Sequence, residues 1–312
     1  MHAPHRRIAA QNATESFLVA IFDSMWERYR SRVEYVRRYE EMIDKHGAVF
    51  YNDHIAFRCF ASQSPAVGLF SISRIFEALG YAGAACYEFP DKKLSSIHYQ
   101  HPNPQLPKLF ISQLKTWELP VAARRAVERT LRTHRPPLSD ATLAELRRIE
   151  HLSSGAKSNL LKEVLGWFER LAWDVPQKED VEALNQESQF GAWVLVNGYD
   201  VNHFTASVDS QGVAALADIE KTVAAMKAAG IPMKAEIEGE RHSKLRQSSS
   251  QAVVRDVEIR VGPKKAVMPW TYAYFEIAER PPLKNASTGK MERFEGFLGG
   301  QAAQLFDMTK HG

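Results

Sequence analysis

Cysteine is nearly absent from this chain: Cys59 and Cys86 are the only two in 312 residues. So few cysteines exclude a disulfide scaffold and are typical of a protein from a reducing compartment. The glycine-rich phosphate loops GxGxxG and GxxxxGKS/T are also missing, which argues against a nucleotide cofactor. Neither a GxSxG nucleophile elbow nor a CxxC pair is present.

Blocks of like charge and long apolar runs are missing too. The formal net charge is +3 and the run RSRVEYVRRYEE is mixed in sign, so a nucleic-acid partner is not expected. No apolar stretch approaches the roughly 20 residues that span a bilayer, and the opening MHAPHRRIAAQ lacks the apolar core of a signal peptide. A transit peptide is disfavoured because the next helix carries Glu15 and Asp23. We expect a cytoplasmic protein with no membrane partner, and its oligomeric state stays open.

The hydrophobic pattern predicts an α+β fold. Residues 13–46 carry apolar side chains at helical spacing and predict one long amphipathic helix capped by Asn12. After it, the order strand–helix–three strands occurs twice, on either side of a helical stretch. The segments of the first unit are 53–60, 64–80, 82–89, 94–100 and 108–114, and those of the second are 199–208, 212–229, 232–238, 252–261 and 271–279.

This repeated order predicts the architecture. Two βαβββ-type modules side by side can form a curled mixed sheet around a shared metal cleft. We expect one integrated catalytic domain in four parts. These are an N-terminal tail (1–12), the N-terminal helix with the first module (13–116), a helical insertion (117–190), and the second module with the C-terminal segment (191–312).

Three ionisable residues interrupt apolar strand-like runs: His54 in DHIAFRCF, His203 in DVNHFTASV and Glu276 in AYFEIAER. A charged group is rarely buried unless it is paired or binds a metal, because leaving water without a partner costs several kcal/mol. Two imidazoles and one carboxylate are the ligand set that holds non-haem Fe(II) and leaves positions open. Each histidine taken alone is more often an ordinary core residue, so the prediction rests on all three together.

Arg58 is the candidate substrate-binding and catalytic residue. Side chains alternate along a strand, so Arg58 shares a face with His54. The two residues lie roughly 13 Å apart at about 3.3 Å per residue. A metal at one end and a guanidinium at the other suit a short dicarboxylate, because the guanidinium fork grips a carboxylate with two hydrogen bonds. On pattern alone an arginine such as Arg58 is more often a surface or salt-bridge residue.

Gln247 and Ser248 form a second candidate substrate contact. They lie in KLRQSSSQAVV, just before a strand-like run. Small polar residues there usually form a turn, although they can also present amide and hydroxyl groups to a carboxylate.

Several segments in the same order resemble the 2-oxoadipate dioxygenase/decarboxylase family. They are DHIAFRCF, AWVLVNGYDVNHFTASV, LRQSSSQAV, YFEIAER and RFEGFLGGQAAQLFDMT, with FPDKKL and LPKLFISQL between them. The resemblance extends from about residue 15 to the C-terminus. Three departures are an ending FDMT where something nearer FEST is expected, a loosely matched helical insertion, and a resemblance to the shorter members, which lack the extended C-terminal region of longer ones.

The resemblance implies a vicinal-oxygen-chelate-like core with His54, His203 and Glu276 as metal ligands and Arg58 as the residue that holds substrate. It implies an Fe(II) cofactor and conversion of 2-oxoadipate and O2 to 2-hydroxyglutarate and CO2, a step in lysine breakdown. The expected partners are therefore a small 2-oxo dicarboxylic acid and O2.

Two other functions fit the same cleft. A glyoxalase-like isomerase or lyase would use Zn2+ or Ni2+ as a Lewis acid and consume no oxygen. A non-catalytic protein that binds small acids would hold no stoichiometric iron.

Overall fold

The computed structural model describes residues 3–284, 288–300 and 306. Within these residues the chain forms α-helices and β-strands in an α+β arrangement, which confirms the predicted class. The helices are α1 (Ala13–Arg32), α2 (Glu34–Lys45), α3 (Phe70–Glu77), α4 (Val121–Leu131), α5 (Asp140–Arg147), α6 (Ser154–Glu169), α7 (Lys178–Glu187), α8 (Gln189–Asn197) and α9 (Ile219–Ala228). The strands are β1 (Asn52–Gln63), β2 (Ala66–Val67), β3 (Ala82–Phe89), β4 (Leu94–Gln100), β5 (Lys108–Lys115), β6 (Val201–Ser207), β7 (Arg246–Ser249), β8 (Val254–Val261), β9 (Lys264–Thr271), β10 (Glu276–Glu279), β11 (Leu283–Lys284) and β12 (Met291–Glu292).

One mixed sheet organises the molecule. Its strand order is β3-β4-β5-β1-β6-β10-β7, with the short β2 paired to β1. Strands β1 and β6 run antiparallel at its centre and join the two halves of the chain, while β1 with β5 and β6 with β10 are parallel pairs. The first strands of the two predicted units are therefore neighbours, as a shared cleft requires.

The second half differs from the expected three-strand continuation. Residues 232–238 form isolated bridges at Met233 and Glu238 and no strand. Strand β8, expected within the main sheet, pairs with β9 in a separate two-stranded sheet, and β7 takes a place at the edge of the main sheet. Val257 and Ile259 of β8 are buried. The alternation of apolar and polar residues predicts a half-buried strand, but it does not indicate to which sheet that strand belongs.

The single N-terminal helix that the sequence predicts is two helices. Val33 takes an extended backbone (φ −110°, ψ 92°) between α1 and α2. In a continuous helix, residues 26 and 40 would lie about 21 Å apart. Here the indole of Trp26 donates to Glu40 at 3.0 Å, and Arg30 donates to the same carboxylate. The expected cap is present, because Asn12 Oδ1 accepts from the backbone N–H of Glu15 at 2.8 Å.

The predicted start of the next helix is also wrong. Pro65 lies in the turn that leads to β2, and α3 begins only at Phe70. Proline marks either a turn or a first helical turn, and the sequence pattern did not distinguish them.

Aromatic side chains pack α1 against one face of the sheet. Trp26 stacks on Phe50 with ring centroids 4.6 Å apart and meets Phe204 edge-on at 5.1 Å. Phe204 follows His203 in β6, so alternation places the histidine on the opposite face. The His203 side chain thus lies on the face of the sheet opposite this aromatic packing.

The tail and the helical stretch pack on this framework. His5 in the tail is buried and bonds to Asp23 and Asn52. Helix α8 contributes Phe190 and Trp193 beside Arg58 of β1, with ring centroids 4.9 and 5.3 Å from the guanidinium carbon. Among the described residues, no helix combines the length and apolar character needed to cross a bilayer.

Candidate metal centre

His54, His203 and Glu276 converge on one point of the sheet. Their ligand atoms all lie within 4.8 Å of one another, and all three side chains are buried. His54 Nε2 lies 3.4 Å from Glu276 Oε1, and His203 Nε2 lies 3.5 Å from Glu276 Oε2. The three residues that the sequence selected as metal ligands are therefore brought together.

The strand register explains this convergence. Thr205 of β6 pairs with His54 of β1 on one side and with Glu276 of β10 on the other. Directly paired residues share a face of a sheet, so all three point to the same side. Ala56 pairs with His203 one step along, which sets the second ring beside the first. The hydroxyl of Thr205 lies 3.0 Å from His54 Nε2.

Each histidine is oriented by the residue that precedes it. Asp53 Oδ1 lies 2.8 Å from His54 Nδ1, and Asn202 Oδ1 lies 3.0 Å from His203 Nδ1. A carboxylate oxygen can only accept, so Nδ1 of His54 carries the proton, and we assign His203 the same tautomer from its amide partner. In this tautomer the Nε2 lone pair of each ring points towards the cluster, where that of His54 also faces the Thr205 hydroxyl at 3.0 Å. Such partners commonly orient histidines that bind metals.

The two carboxylate oxygens of Glu276 differ in their hydrogen bonding. Its Oε1 accepts a hydrogen bond from the amide of Gln247. Its Oε2 is buried and has no hydrogen-bond partner among the residues that the structure describes. A buried charged oxygen left in this state is costly. A cation bound between Glu276 and the two imidazoles removes that cost.

The protonation states suit a cation. Burial lowers the pKa of His203 to about 3, so this ring is neutral. Burial also lowers the pKa of His54, but its interactions with the carboxylates of Asp53 and Glu276 outweigh burial, and the pKa is raised. Burial raises the pKa of Glu276, yet the nearby histidines prevail and lower it. The carboxylate is therefore ionised at neutral pH, and a metal competes with a proton for His54.

These donors fit a divalent metal ion. They are two imidazole nitrogens and a carboxylate oxygen that lacks a partner, gathered on one face of three neighbouring strands. This donor set suits non-haem Fe(II), while geometry alone also admits other divalent ions.

Arg58 lines a cavity beside the cluster of His54, His203 and Glu276. It is buried, and its guanidinium is surrounded by the rings of Phe190, Trp193 and Phe306. The two histidines line this cavity as well. Its lining residues are His54, Ala56, Phe57, Arg58, Phe110, Ser112, Asn202, His203, Gln247, Tyr274, Phe297 and Phe306.

A comparison with known protein families identifies the chain. Residues 19–293 match the model of the 2-oxoadipate dioxygenase/decarboxylase family. The chain belongs to this family. A protein of Oryza sativa subsp. japonica named 2-oxoadipate dioxygenase/decarboxylase, chloroplastic/amyloplastic, is 26% identical over 323 residues, which cover 97% of this chain and 81% of the rice protein.

Solved structures share the fold of this 2-oxoadipate dioxygenase/decarboxylase family member. A glyoxalase superfamily protein from Ralstonia eutropha JMP134 aligns with a TM-score of 0.79 at 22% identity, covering 92% of this chain and 87% of that one. The hydroxyglutarate synthase of Oryza sativa, solved in complex with 2-oxoadipate, aligns with a TM-score of 0.75 at 24% identity, covering 96% and 94%. The predicted vicinal-oxygen-chelate-like fold is confirmed.

The two polar candidates of β7 face opposite sides. Gln247 lines the cavity, and its side-chain amide donates a hydrogen bond to the candidate metal ligand Glu276. Ser248 pairs with Ile277 across the sheet, and its hydroxyl donates to the carbonyl of Glu236 at 3.4 Å. Alternation turns Ser248 away from the cavity. The structure thus places Ser248 on the face opposite the cavity, and the segment expected to be a turn is a strand.

Sequence reasoning missed the partners of the two histidines. Strict alternation along a strand would place Asp53 on the face opposite His54, but the register of β1 shifts at this point and the carboxylate reaches the neighbouring ring. The signal was present in the dipeptides Asp53-His54 and Asn202-His203, where each histidine follows a side-chain oxygen acceptor. Phe297 was missed because no local pattern connects it to the cleft. Of the closing motif RFEGFLGGQAAQLFDMT, residues 301–305 and 307–309 lie outside the described residues.

We expect Gln247→Ala to weaken binding of a divalent metal by about 10- to 100-fold, because the amide orients Glu276. Calorimetric titration of the metal-free variant with Co(II) measures this directly. Ser248→Ala is the matched control, since it removes a neighbouring polar group on the other face and should leave the affinity unchanged. A higher KM for substrate with unaltered Co(II) affinity would instead assign Gln247 to substrate binding.

Proposed function

We propose that this chain is an Fe(II)-dependent dioxygenase that decarboxylates 2-oxoadipate and uses O2 to form 2-hydroxyglutarate and CO2. One observation carries the proposal: His54, His203 and Glu276 form one buried cluster of donors, and its two histidines line the same cavity as the buried Arg58. The family membership and the names of its relatives support the choice of reaction. In this role the protein would act in lysine breakdown in the cytoplasm.

The three donors would hold Fe(II) through His54 Nε2, His203 Nε2 and Glu276 Oε2. Iron bound there supplies open coordination positions at which a 2-oxo acid and O2 can meet. The protein keeps its donors ready for this task, because Asp53 and Asn202 fix the orientations of the two rings. Gln247 does the same for the carboxylate.

Arg58 would hold the carboxylate of the substrate that lies away from the metal. The aromatic rings around its guanidinium exclude water, which strengthens an ionic hydrogen bond. Holding that end of the chain selects the carbon that lies at the reacting centre. A 2-oxo acid without the second carboxylate would lose this contact.

Aromatic residues close the other walls. Tyr274 stacks on the His203 ring at 4.7 Å, and Phe297 meets the His54 ring edge-on at 4.9 Å. Burial raises the pKa of Tyr274 well above its ordinary value, so its hydroxyl stays protonated and can donate a hydrogen bond. Phe110 and Phe297 keep the cavity apolar beside the candidate ligands.

Anaerobic reconstitution with Fe(II), followed by oxygen-electrode assays on a panel of 2-oxo acids, tests the proposal. We expect 2-oxoadipate to give one CO2 for each O2 consumed, with no added 2-oxoglutarate. The atoms then balance when both oxygen atoms of O2 enter 2-hydroxyglutarate, which isotopically labelled O2 and mass spectrometry can verify. Turnover with Zn2+ or Ni2+ and no oxygen uptake would favour an isomerase or lyase. Absence of stoichiometric iron and of turnover would favour a binding protein.

A further inference from the structure

Asp53 connects a candidate metal ligand to a buried arginine. Its Oδ1 accepts from His54 Nδ1 at 2.8 Å and from Arg280 Nη2 at 3.0 Å, and its Oδ2 accepts from Arg280 Nε at 2.8 Å. The side chains of Asp53 and Arg280 are fully buried. The guanidinium thus holds the carboxylate with two bonds, and the carboxylate holds the imidazole.

The remaining nitrogen of Arg280 contacts a different part of the chain. Its Nη1 donates to the backbone carbonyls of Phe294 at 3.0 Å and Gly296 at 2.6 Å. We call residues 293–300 the covering segment. Arg293, at its start, adds a bond from its Nη2 to Asp53 Oδ2 at 3.1 Å. The covering segment is therefore attached to Asp53 both directly and through Arg280.

The covering segment also supplies a wall of the cavity. The ring of Phe297 lies 5.0 Å from the Arg280 guanidinium carbon, 4.9 Å from the His54 ring and 4.7 Å from the Phe110 ring. Its backbone N–H donates to the hydroxyl of Tyr87 at 3.1 Å. Arg280 thus contacts both Asp53, which orients the candidate metal ligand His54, and the covering segment, which forms a wall of the cavity.

We propose that Arg280 is a positioning residue that couples the covering segment to the metal ligand His54 through Asp53, so that closure of the cavity and orientation of the ligand are set together. The inference rests on the proposed metal centre and adds a role for residues that touch neither metal nor substrate. A buried arginine with all three guanidinium nitrogens bonded is sensitive to replacement, because any loss leaves Asp53 or the two carbonyls without a donor.

The proposal predicts an effect in both directions, because coupling between two sites is reciprocal. If the seated segment strengthens metal binding, bound metal must in turn protect the segment. Slower hydrogen exchange at the backbone N–H of Phe297 on addition of Co(II) would report that protection. A salt bridge that merely stabilises the fold would show no such response to metal.

The test uses the full chain and Co(II) as the probe. We expect Arg280→Lys, which keeps the charge but loses the fork, to bind Co(II) about 10- to 100-fold more weakly and to change its visible absorption. The protection of Phe297 by Co(II) should disappear. Arg246→Lys is the matched control, because Arg246 is also buried and bonds to Glu279 at 3.2 Å on the other face of the sheet. It should lose stability without losing Co(II) affinity.

Arg293→Met keeps the test decisive if Arg280→Lys fails to fold, since Arg293 is partly exposed and its loss removes one attachment of the covering segment. We expect a smaller loss of Co(II) affinity and partial loss of protection. Wild-type affinity and protection in the folded variants would overturn the coupling. Absence of Co(II) binding by the wild-type protein would overturn the proposed metal centre itself, a result that is distinct from the first.

Discussion

Replacing His203 with alanine is expected to abolish turnover and to weaken metal binding by more than about 100-fold. This exceeds the loss of about 10- to 100-fold that is usual when a residue that only hydrogen-bonds to a ligand is replaced. The reason is the loss of one of three donors, which leaves His54 and Glu276 to hold the ion. Anaerobic titration with Fe(II) or Co(II) and the oxygen-electrode assay measure the two effects. Circular dichroism should show a folded protein, because the ring is neutral and most single substitutions cost about 0.5–3 kcal/mol.

The metal gives a second readout for the same variant. A ligand that binds only the folded protein at 100 times its Kd stabilises it by about 2.7 kcal/mol. The unfolding temperature of the wild-type protein should therefore rise with Co(II), and that of His203→Ala should not. His5→Ala is the matched control, since His5 is equally buried and bonded but lies outside the metal centre. Full activity of His203→Ala would remove the metal assignment.

Replacing Arg58 with alanine is expected to raise the KM for 2-oxoadipate by about 10- to 100-fold, the loss of one ionic contact worth about 1.5–3 kcal/mol. Affinity for Co(II) should stay within a few-fold of the wild-type value, because Arg58 is not a ligand. Arg58→Lys should show a smaller rise in KM than Arg58→Ala, because lysine keeps the positive charge but lacks the two-pronged guanidinium. Steady-state kinetics and calorimetry separate the two quantities.

A substrate comparison sharpens the Arg58 test. A 2-oxo monocarboxylic acid of equal chain length lacks the group that Arg58 would hold. The wild-type protein should prefer 2-oxoadipate strongly over that acid, and Arg58→Ala should lose most of the preference. Arg246→Ala serves as the control for loss of a buried arginine elsewhere. An unchanged preference in Arg58→Ala would assign recognition of the second carboxylate to another residue.

The candidate metal ligands could be predicted from the sequence because their signal is local. His54, His203 and Glu276 each interrupt an apolar strand, and a buried ionisable group needs a partner wherever the strand lies. The same reasoning placed Arg58 on the face of His54, since alternation is a property of one strand. It could not distinguish Gln247 from Ser248, because both lie in one polar run that was expected to be a turn. Their difference follows from the pairing of β7 with β10.

Strand pairing was the main source of error. The periodicities of β8 and of β7 describe single segments, whereas membership of a sheet depends on contacts between residues far apart in the chain. The coupling of Asp53 to Arg280 is of the same kind: the two residues are 227 positions apart. The break at Val33 was missed because its neighbours keep helical spacing on both sides.

The sequence by itself determined the α+β class, the family, and the three candidate donors with Arg58 on the face of His54, because these depend on residue type and on alternation within a strand. Only the tertiary structure decided that the donors share one point, that Gln247 supports Glu276, and that Arg280 links the covering segment to His54. The physical reason is that these features arise from register between distant strands, and register is set by the packing of the whole chain.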